Sequence, residues 1–262
     1  FLAAMTYGAV PVPLLHEFKP GNIHFLVNHS EAKVFFVEDT IWETLSEVEM
    51  PGVVAFVQIN TFKILYTQDK HLQDLRDKFN ELYNEIYPKG FQKEDISYYE
   101  DKEDELALIN YTSGTSGFSK GVMLSRMALY NNIRFAKEEA EPQMNEDSEM
   151  VSLLPSAHMY GLLFEFLFEM TIGAHVHFLT RIPSPKIILK AFADVKPSVI
   201  IAVPLIIEKV YKSQLKPMID RNKNWMKIPI LDQYILKKFR SGLCNAFGGR
   251  FEEVILGGAA FN

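Results

Sequence analysis

Cysteine is almost absent: Cys244 is the only one in 262 residues. That excludes an internal disulfide framework and fits a reducing cytosol, so a cytoplasmic protein is expected. Clustered positive charge is missing as well. The net charge is -6 and Lys and Arg form no stripe, which argues against nucleic acid as a partner. No apolar run reaches the roughly 20 residues that span a bilayer. The greasiest stretch, from Gly161 to Ile172, is interrupted by Glu165 and Glu169. No transmembrane segment is expected, and peripheral membrane contact is left open. Internal repeats and low-complexity tracts are also lacking. What remains is ordinary globular composition, 48% hydrophobic and 23% charged, in a chain long enough for one large domain or two smaller ones.

Along the first half, short apolar runs alternate with helical patterns. Val10 to Leu15 reads as a proline-bearing edge strand, Pro20 to Ser30 as a helix with Ile23, Leu26 and Val27 on one face, and Lys33–Val37 as a buried strand. A helix capped by Asp39 or Thr40 and a strand at Val53–Val57 follow. Residues 69 to 88 predict one long amphipathic helix, with Leu72, Leu75, Phe79, Leu82 and Ile86 in a single stripe. The seven carboxylates between Glu94 and Glu105 lack metal-ligand spacing and read as a solvated loop. Strands alternating with helices predict α/β architecture with a mostly parallel sheet covered on both faces.

Chemistry concentrates at residues 111 to 121. An apolar run, Leu106–Asn110, leads into Tyr111-Thr-Ser-Gly-Thr-Ser-Gly-Phe-Ser-Lys-Gly121, and a second run, Val122–Leu124, leaves it. Gly114, Gly117 and Gly121 permit positive φ and let amide N–H groups approach a ligand. Successive inward amides make a concave site for anionic oxygens. Thr112, Ser113, Thr115 and Ser116 add short-reach donors, and Lys120 adds a mobile positive charge. These groups suit a polyphosphate. The spacing is not that of a Walker A loop, because Ser119 stands where its second glycine would be.

In ten of eleven positions this stretch resembles the phosphate loop of the adenylate-forming enzymes, [YS]-[TS]-S-G-[ST]-[TS]-G-x-P-K-G, departing only at Ser119 where proline is usual. Loss of that proline loosens the loop and removes no ligand group. Two further segments carry the resemblance. Pro155-Ser-Ala-His-Met-Tyr-Gly161 is similar to the family's Pro-x-x-His-x-x-Gly, and Leu256-Gly-Gly-Ala-Ala260 to its Gly-Gly-Ala segment. By resemblance, His158 orients the acid substrate near the α-phosphate, and Tyr160 and Gly161 line the acyl pocket. Gly257, Gly258, Ala259 and Ala260 would run along the adenine. The apolar helix after Gly161 reads either as plain core or as the wall of an acyl tunnel. His175 and His177 share one face of a strand, with no third ligand nearby in sequence, and read as an exposed face.

The resemblance implies an α/β fragment of the large N-terminal domain of an adenylate-forming enzyme, made of two α/β lobes with mostly parallel sheets flanked by helices. Residues 1–148 would form the lobe that carries the phosphate loop. Residues 149–262 would form an incomplete second lobe, with the polar stretch from Glu141 to Ser148 as the boundary. The implied reaction joins a fatty acid to coenzyme A by way of an acyl-AMP, as in long-chain fatty acid–CoA ligases, using ATP and Mg2+; no residue is assigned as a metal ligand. The alternatives are a ligase that loads a carrier protein and an ATP-binding module without catalysis. Phe1 begins inside an apolar helical pattern, and the family's Tyr-Gly-x-Thr-Glu segment and C-terminal lid have no counterpart here. The chain is therefore expected to be a piece of a longer protein, inactive alone.

Overall fold

The computed structural model describes residues 1–100, 102–112, 119–140, 144–179, 183–222 and 229–260. The chain divides into two compact units, Phe1–Met127 and Ala128–Asn262. That division precedes the polar connector ending at Ser148, since the helix Arg126–Ala140 gives Ala136 to a core cluster of the second unit.

In the first unit, β1 (Val34–Val37) pairs parallel with β2 (Ala55–Gln58), which pairs antiparallel with β3 (Ile64–Thr67). Phe56 is the centre of this sheet's core, buried with Ile23, Val27 and Met50. The rings of Phe35, Trp42 and Tyr66 surround it at 6.1, 5.0 and 6.0 Å. Such offset and edge-on contacts are the favoured aromatic geometries. The helix Pro20–His29 supplies Ile23, Leu26 and Val27 from one face, as their spacing predicts, with proline at its start where no N–H is needed.

Three local expectations fail here. Val10 to Leu15 forms no strand; among the described residues its ladder-like bond is from the Ile109 N–H to the Pro11 carbonyl, 3.2 Å. Pro11 and Pro13 have no N–H to donate, which prevents a continuous ladder. The long helix breaks at Lys78 into Lys70–Asp77 and Phe79–Ile86. Its apolar stripe is exposed at Leu75, Phe79 and Ile86, and the rings of Phe79, Tyr83, Tyr87 and Phe91 touch in succession, stacked, tilted and edge-on in turn. The helix expected after Asp39 stops at Trp42 and is followed by a 3-10 turn at Glu47–Glu49.

The unit ends in a hairpin. β4 (Leu106–Thr112) pairs antiparallel with β5 (Lys120–Ser125), with Thr112 opposite Lys120 and Tyr111 opposite Gly121.

The second unit holds two parallel pairs, β6 (Glu149–Ser152) with β7 (His175–Phe178) and β8 (Val199–Ala202) with β9 (Glu253–Leu256). The Ser198 N–H donates to the Glu149 carbonyl at 2.9 Å, so the two pairs lie side by side. Side chains alternate between two clusters, as a pleated sheet requires. Val151, Leu153, Ile200 and Ala202 join Ile188, Phe192, Val210 and Phe247 in one, while Met150, Val199 and Ile201 join Ala136, Met144 and Phe168 in the other. Strands apolar on both faces belong to parallel sheets covered on both sides. The helix Pro185–Val195 covers one cluster, opened by proline after Ser184, whose hydroxyl accepts from the Ile187 N–H.

Candidate active site

The hairpin places the ends of the expected phosphate loop. Thr112 closes β4 and Lys120 opens β5, both side chains exposed and opposite each other. Ser113, Gly114, Thr115, Ser116 and Gly117, the residues expected to cradle phosphate, lie outside the described residues. Below the loop the strands are held firmly. The Tyr111 hydroxyl is hydrogen-bonded to His29 Nδ1 at 2.7 Å, and their rings meet edge-on at 5.7 Å. Burial pushes the Tyr111 phenol up, partly offset by the Ser30 side chain. A Cβ on Gly121 would stand 3.2 Å from both Ile109 Cγ2 and Tyr111 Cε1. Glycine therefore lets Tyr111 lie flat against its own hairpin.

The second and third segments meet in the second unit. After β6 the chain turns at Pro155, whose carbonyl accepts from the His158 N–H at 2.9 Å. His158 is exposed and precedes the helix Met159–Leu162, a π-helical stretch Leu163–Leu167 and a last helical turn Phe168–Ile172. Gly161 is buried, and a Cβ there would come within 2.7 Å of the Pro155 carbonyl oxygen. Tyr160 reaches across to β9, where its hydroxyl donates to the Ile255 carbonyl at 3.4 Å. Its ring occupies the space a side chain at Gly257 would need: a Cβ there would fall 2.7 Å from Tyr160 Cζ. The Gly257 N–H continues the ladder to the Ala202 carbonyl at 3.3 Å, and Gly258 turns the chain at φ +81. Ala259 and Ala260 are exposed. His158, Tyr160, Gly161, Gly257 and Gly258 thus gather where β6, β8 and β9 end, the edge at which open parallel sheets bind ligands.

Two buried carboxylates adjoin this edge. Glu165 accepts hydrogen bonds from the Ser152 hydroxyl at 3.0 Å, the Leu153 N–H at 3.0 Å and the Leu154 N–H at 2.8 Å. Burial pushes its pKa up to about 7, against the pull of those donors. Glu169, one turn further on, has no hydrogen-bond partner for either oxygen among the described residues. Burial, reinforced by the charge of Glu165, pushes its pKa up to about 8. In sequence the only sign of this pair was two acids inside an apolar helix.

The His175–His177 face has a partner that sequence separation hid. Glu149, in register with His175 across the parallel pair, bonds His175 Nδ1 at 3.1 Å and His177 Nε2 at 2.6 Å. The hydrogen bond from His177 is the main influence holding the Glu149 carboxyl below its usual range. Among the described residues no group of three His, Cys, Asp or Glu side chains is arranged to hold a metal ion, and no helix is long and apolar enough to cross a membrane.

The chain is similar to several known proteins. Long chain acyl-CoA synthetase 3 of Arabidopsis thaliana is 25% identical over 285 residues, covering 98% of this chain and 41% of its own length. Long-chain-fatty-acid–CoA ligase 5 of Mus musculus is 26% identical over 265 residues, covering 97% and 35%. The chain thus spans about two fifths of the length of the curated relatives it matches. Among solved structures, a red-emitting luciferase from Phrixothrix hirtus superposes with a TM-score of 0.68 at 17% identity, over 98% of this chain and 43% of that one. ATP-bound MatB from Rhodopseudomonas palustris gives 0.63 at 19% identity, over 98% and 41%. These likenesses show the fold. The family model described as AMP-binding enzyme matches residues 1–262, and the chain belongs to that family.

Proposed function

We propose that this chain is the nucleotide- and acid-binding part of an enzyme that activates a long-chain fatty acid with ATP and passes it to coenzyme A. The observation that carries the reading is the packing of Tyr160 on Gly257, which joins the Pro155–Gly161 and Leu256–Ala260 segments at one sheet edge. The match to long-chain acyl-CoA synthetases supports the substrate class.

In this reading the acid carboxylate attacks the α-phosphorus of ATP in line, the bond to the β-phosphate oxygen breaks, and acyl-AMP and pyrophosphate form. A thiol then attacks the acyl carbon and AMP leaves. A carboxylate is a weak nucleophile, so the protein must hold it in line and neutralise charge growing on phosphate oxygens. Thr112 and Lys120, with the amides and hydroxyls of Ser113 to Gly117 between them, would hold the triphosphate. His158, exposed at the head of its helix, would orient the carboxylate. Tyr160 and Gly161 would shape the start of the acyl pocket, and the backbone of Gly257 to Ala260 would lie along the adenine. Magnesium, when bound, would further neutralise the phosphate oxygens. Thr112, exposed and in register with Lys120, would offer a hydroxyl oxygen to the metal–triphosphate complex while Lys120 meets the phosphate charge. A lone Cys244 suits a cytosolic site for this chemistry.

The test is acid-dependent exchange of pyrophosphate into ATP by the full-length protein. Exchange with long-chain acids, followed by acyl-thioester formation only when coenzyme A is added, is expected. Exchange with thioester formed only on a carrier protein would reassign the acceptor, and ATP binding without exchange for any acid would overturn the activation step.

A further inference from the structure

Glu165 lies beyond the His158 loop in sequence and reaches back to the strand that enters it. Its three donors, the Ser152 hydroxyl and the Leu153 and Leu154 N–H groups, are the last residues before the turn at Pro155. The side chain is 1% exposed. The entry of the loop is therefore tied to its exit. Inside that clamp the His158 N–H bonds the Pro155 carbonyl at 2.9 Å, and the Leu162 N–H bonds the His158 carbonyl at 2.8 Å. Gly161 packs onto the Pro155 carbonyl. Backbone hydrogen bonds thus flank His158 on both sides, while the residue itself is exposed. A π-helical stretch, Leu163–Leu167, carries Glu165; such stretches widen a helix by one residue per turn and recur at functional sites.

An apolar side chain would leave the buried Leu153 amide and the half-buried Leu154 amide without the acceptor they use, so the position demands one. We propose that Glu165 is a positioning residue: by clamping both ends of the 153–162 loop it sets where His158 meets the carboxylate of the acid substrate. The inference rests on the reading of His158 as acid-facing.

The test uses the full-length protein with Glu165→Gln and Ser152→Ala, each alone and combined with His158→Ala. A misplacement of about 1 Å can cost on the order of 100-fold in rate. Glu165→Gln is expected to lower kcat/KM for the acid by about 10- to 100-fold, with KM for ATP changed by less than about twofold. Ser152→Ala, which removes one donor and keeps the carboxylate, should give a smaller loss of the same kind. In the His158→Ala background both losses should shrink to less than about twofold, since positioning works only through His158. Equal losses in the two backgrounds, or KM for ATP rising in step, would mean plain structural support and overturn the proposal. If Glu165→Gln does not fold, Ser152→Ala decides alone. Amide hydrogen exchange gives a readout independent of activity: faster exchange over residues 156–160 in the variants is expected, and unchanged exchange overturns the proposal. A wild type that exchanges pyrophosphate with no acid would sink the activation reading and leave this hydrogen-exchange outcome to decide the clamp.

Discussion

The Tyr160 ring fills the place of the side chain that Gly257 lacks, with a Cβ at 257 falling 2.7 Å from Tyr160 Cζ and 2.9 Å from its hydroxyl. Residues almost 100 positions apart are thereby locked together at the ends of β6 and β9. Gly257→Ala should force the ring aside and cost about 1–3 kcal/mol, as overpacking does. Tyr160→Ala in the same chain should recover much of that loss. Denaturant titration of the single and double variants checks both, and additive losses would show that the two residues do not share space.

Stability should fall as pH rises from 5 to 9. Glu165 and Glu169 have folded pKa values raised to about 7 and about 8, above the unfolded value of 4.5. Between the unfolded and folded values the native state binds more protons than the unfolded one, so the contribution is full below pH 4.5 and lost through pH 7 to 8. Glu169→Met removes the partnerless acid and should stabilise by about 1–3 kcal/mol at pH 8.5, with less gain at pH 5.5. Denaturation of wild type and variant across that range measures it, and a gain independent of pH would contradict it.

His29 anchors the first unit's hairpin through the Tyr111 hydroxyl at 2.7 Å. Tyr111→Phe keeps the ring against Gly121 and loses that bond together with the longer one its hydroxyl donates to the Leu26 carbonyl at 3.4 Å. It should cost roughly 0.5–1.5 kcal/mol, the usual net worth of one hydrogen bond. Thermal denaturation of this variant and of His29→Ala checks it, and a loss well above that range would point to a larger repacking.

Lys120→Ala should reduce acid-dependent exchange by roughly 100-fold, the scale for removing one donor to developing charge, without lowering the melting temperature, since Lys120 is exposed. Steady-state exchange together with a melting curve separates the two effects, and unimpaired exchange would remove Lys120 from the site.

Much of this fold was legible because each signal was local. Leu106–Asn110 and Val122–Leu124 flank a glycine-rich stretch and do form the two strands of a hairpin. What failed was set by neighbours. Pro11 and Pro13 allowed an edge strand in principle, but among the described residues a single bond, from Ile109 to the Pro11 carbonyl, takes its place. The stripe from Leu72 to Ile86 fits one helix, yet the helix breaks at Lys78 and Leu75, Phe79 and Ile86 stay exposed. The bonds of Glu165 and Glu149 were not legible because their partners lie on other elements, and spacing along one segment cannot reveal a bond between two.

The central claim is that the gathered Pro155–Gly161 and Leu256–Ala260 segments serve acid activation. Pyrophosphate exchange into ATP by the full-length protein, with and without a long-chain fatty acid, tests it most directly. The account predicts exchange that depends on the acid and falls sharply in His158→Ala while the protein stays folded. Exchange absent for every acid tried, or unaffected by that substitution, would contradict it.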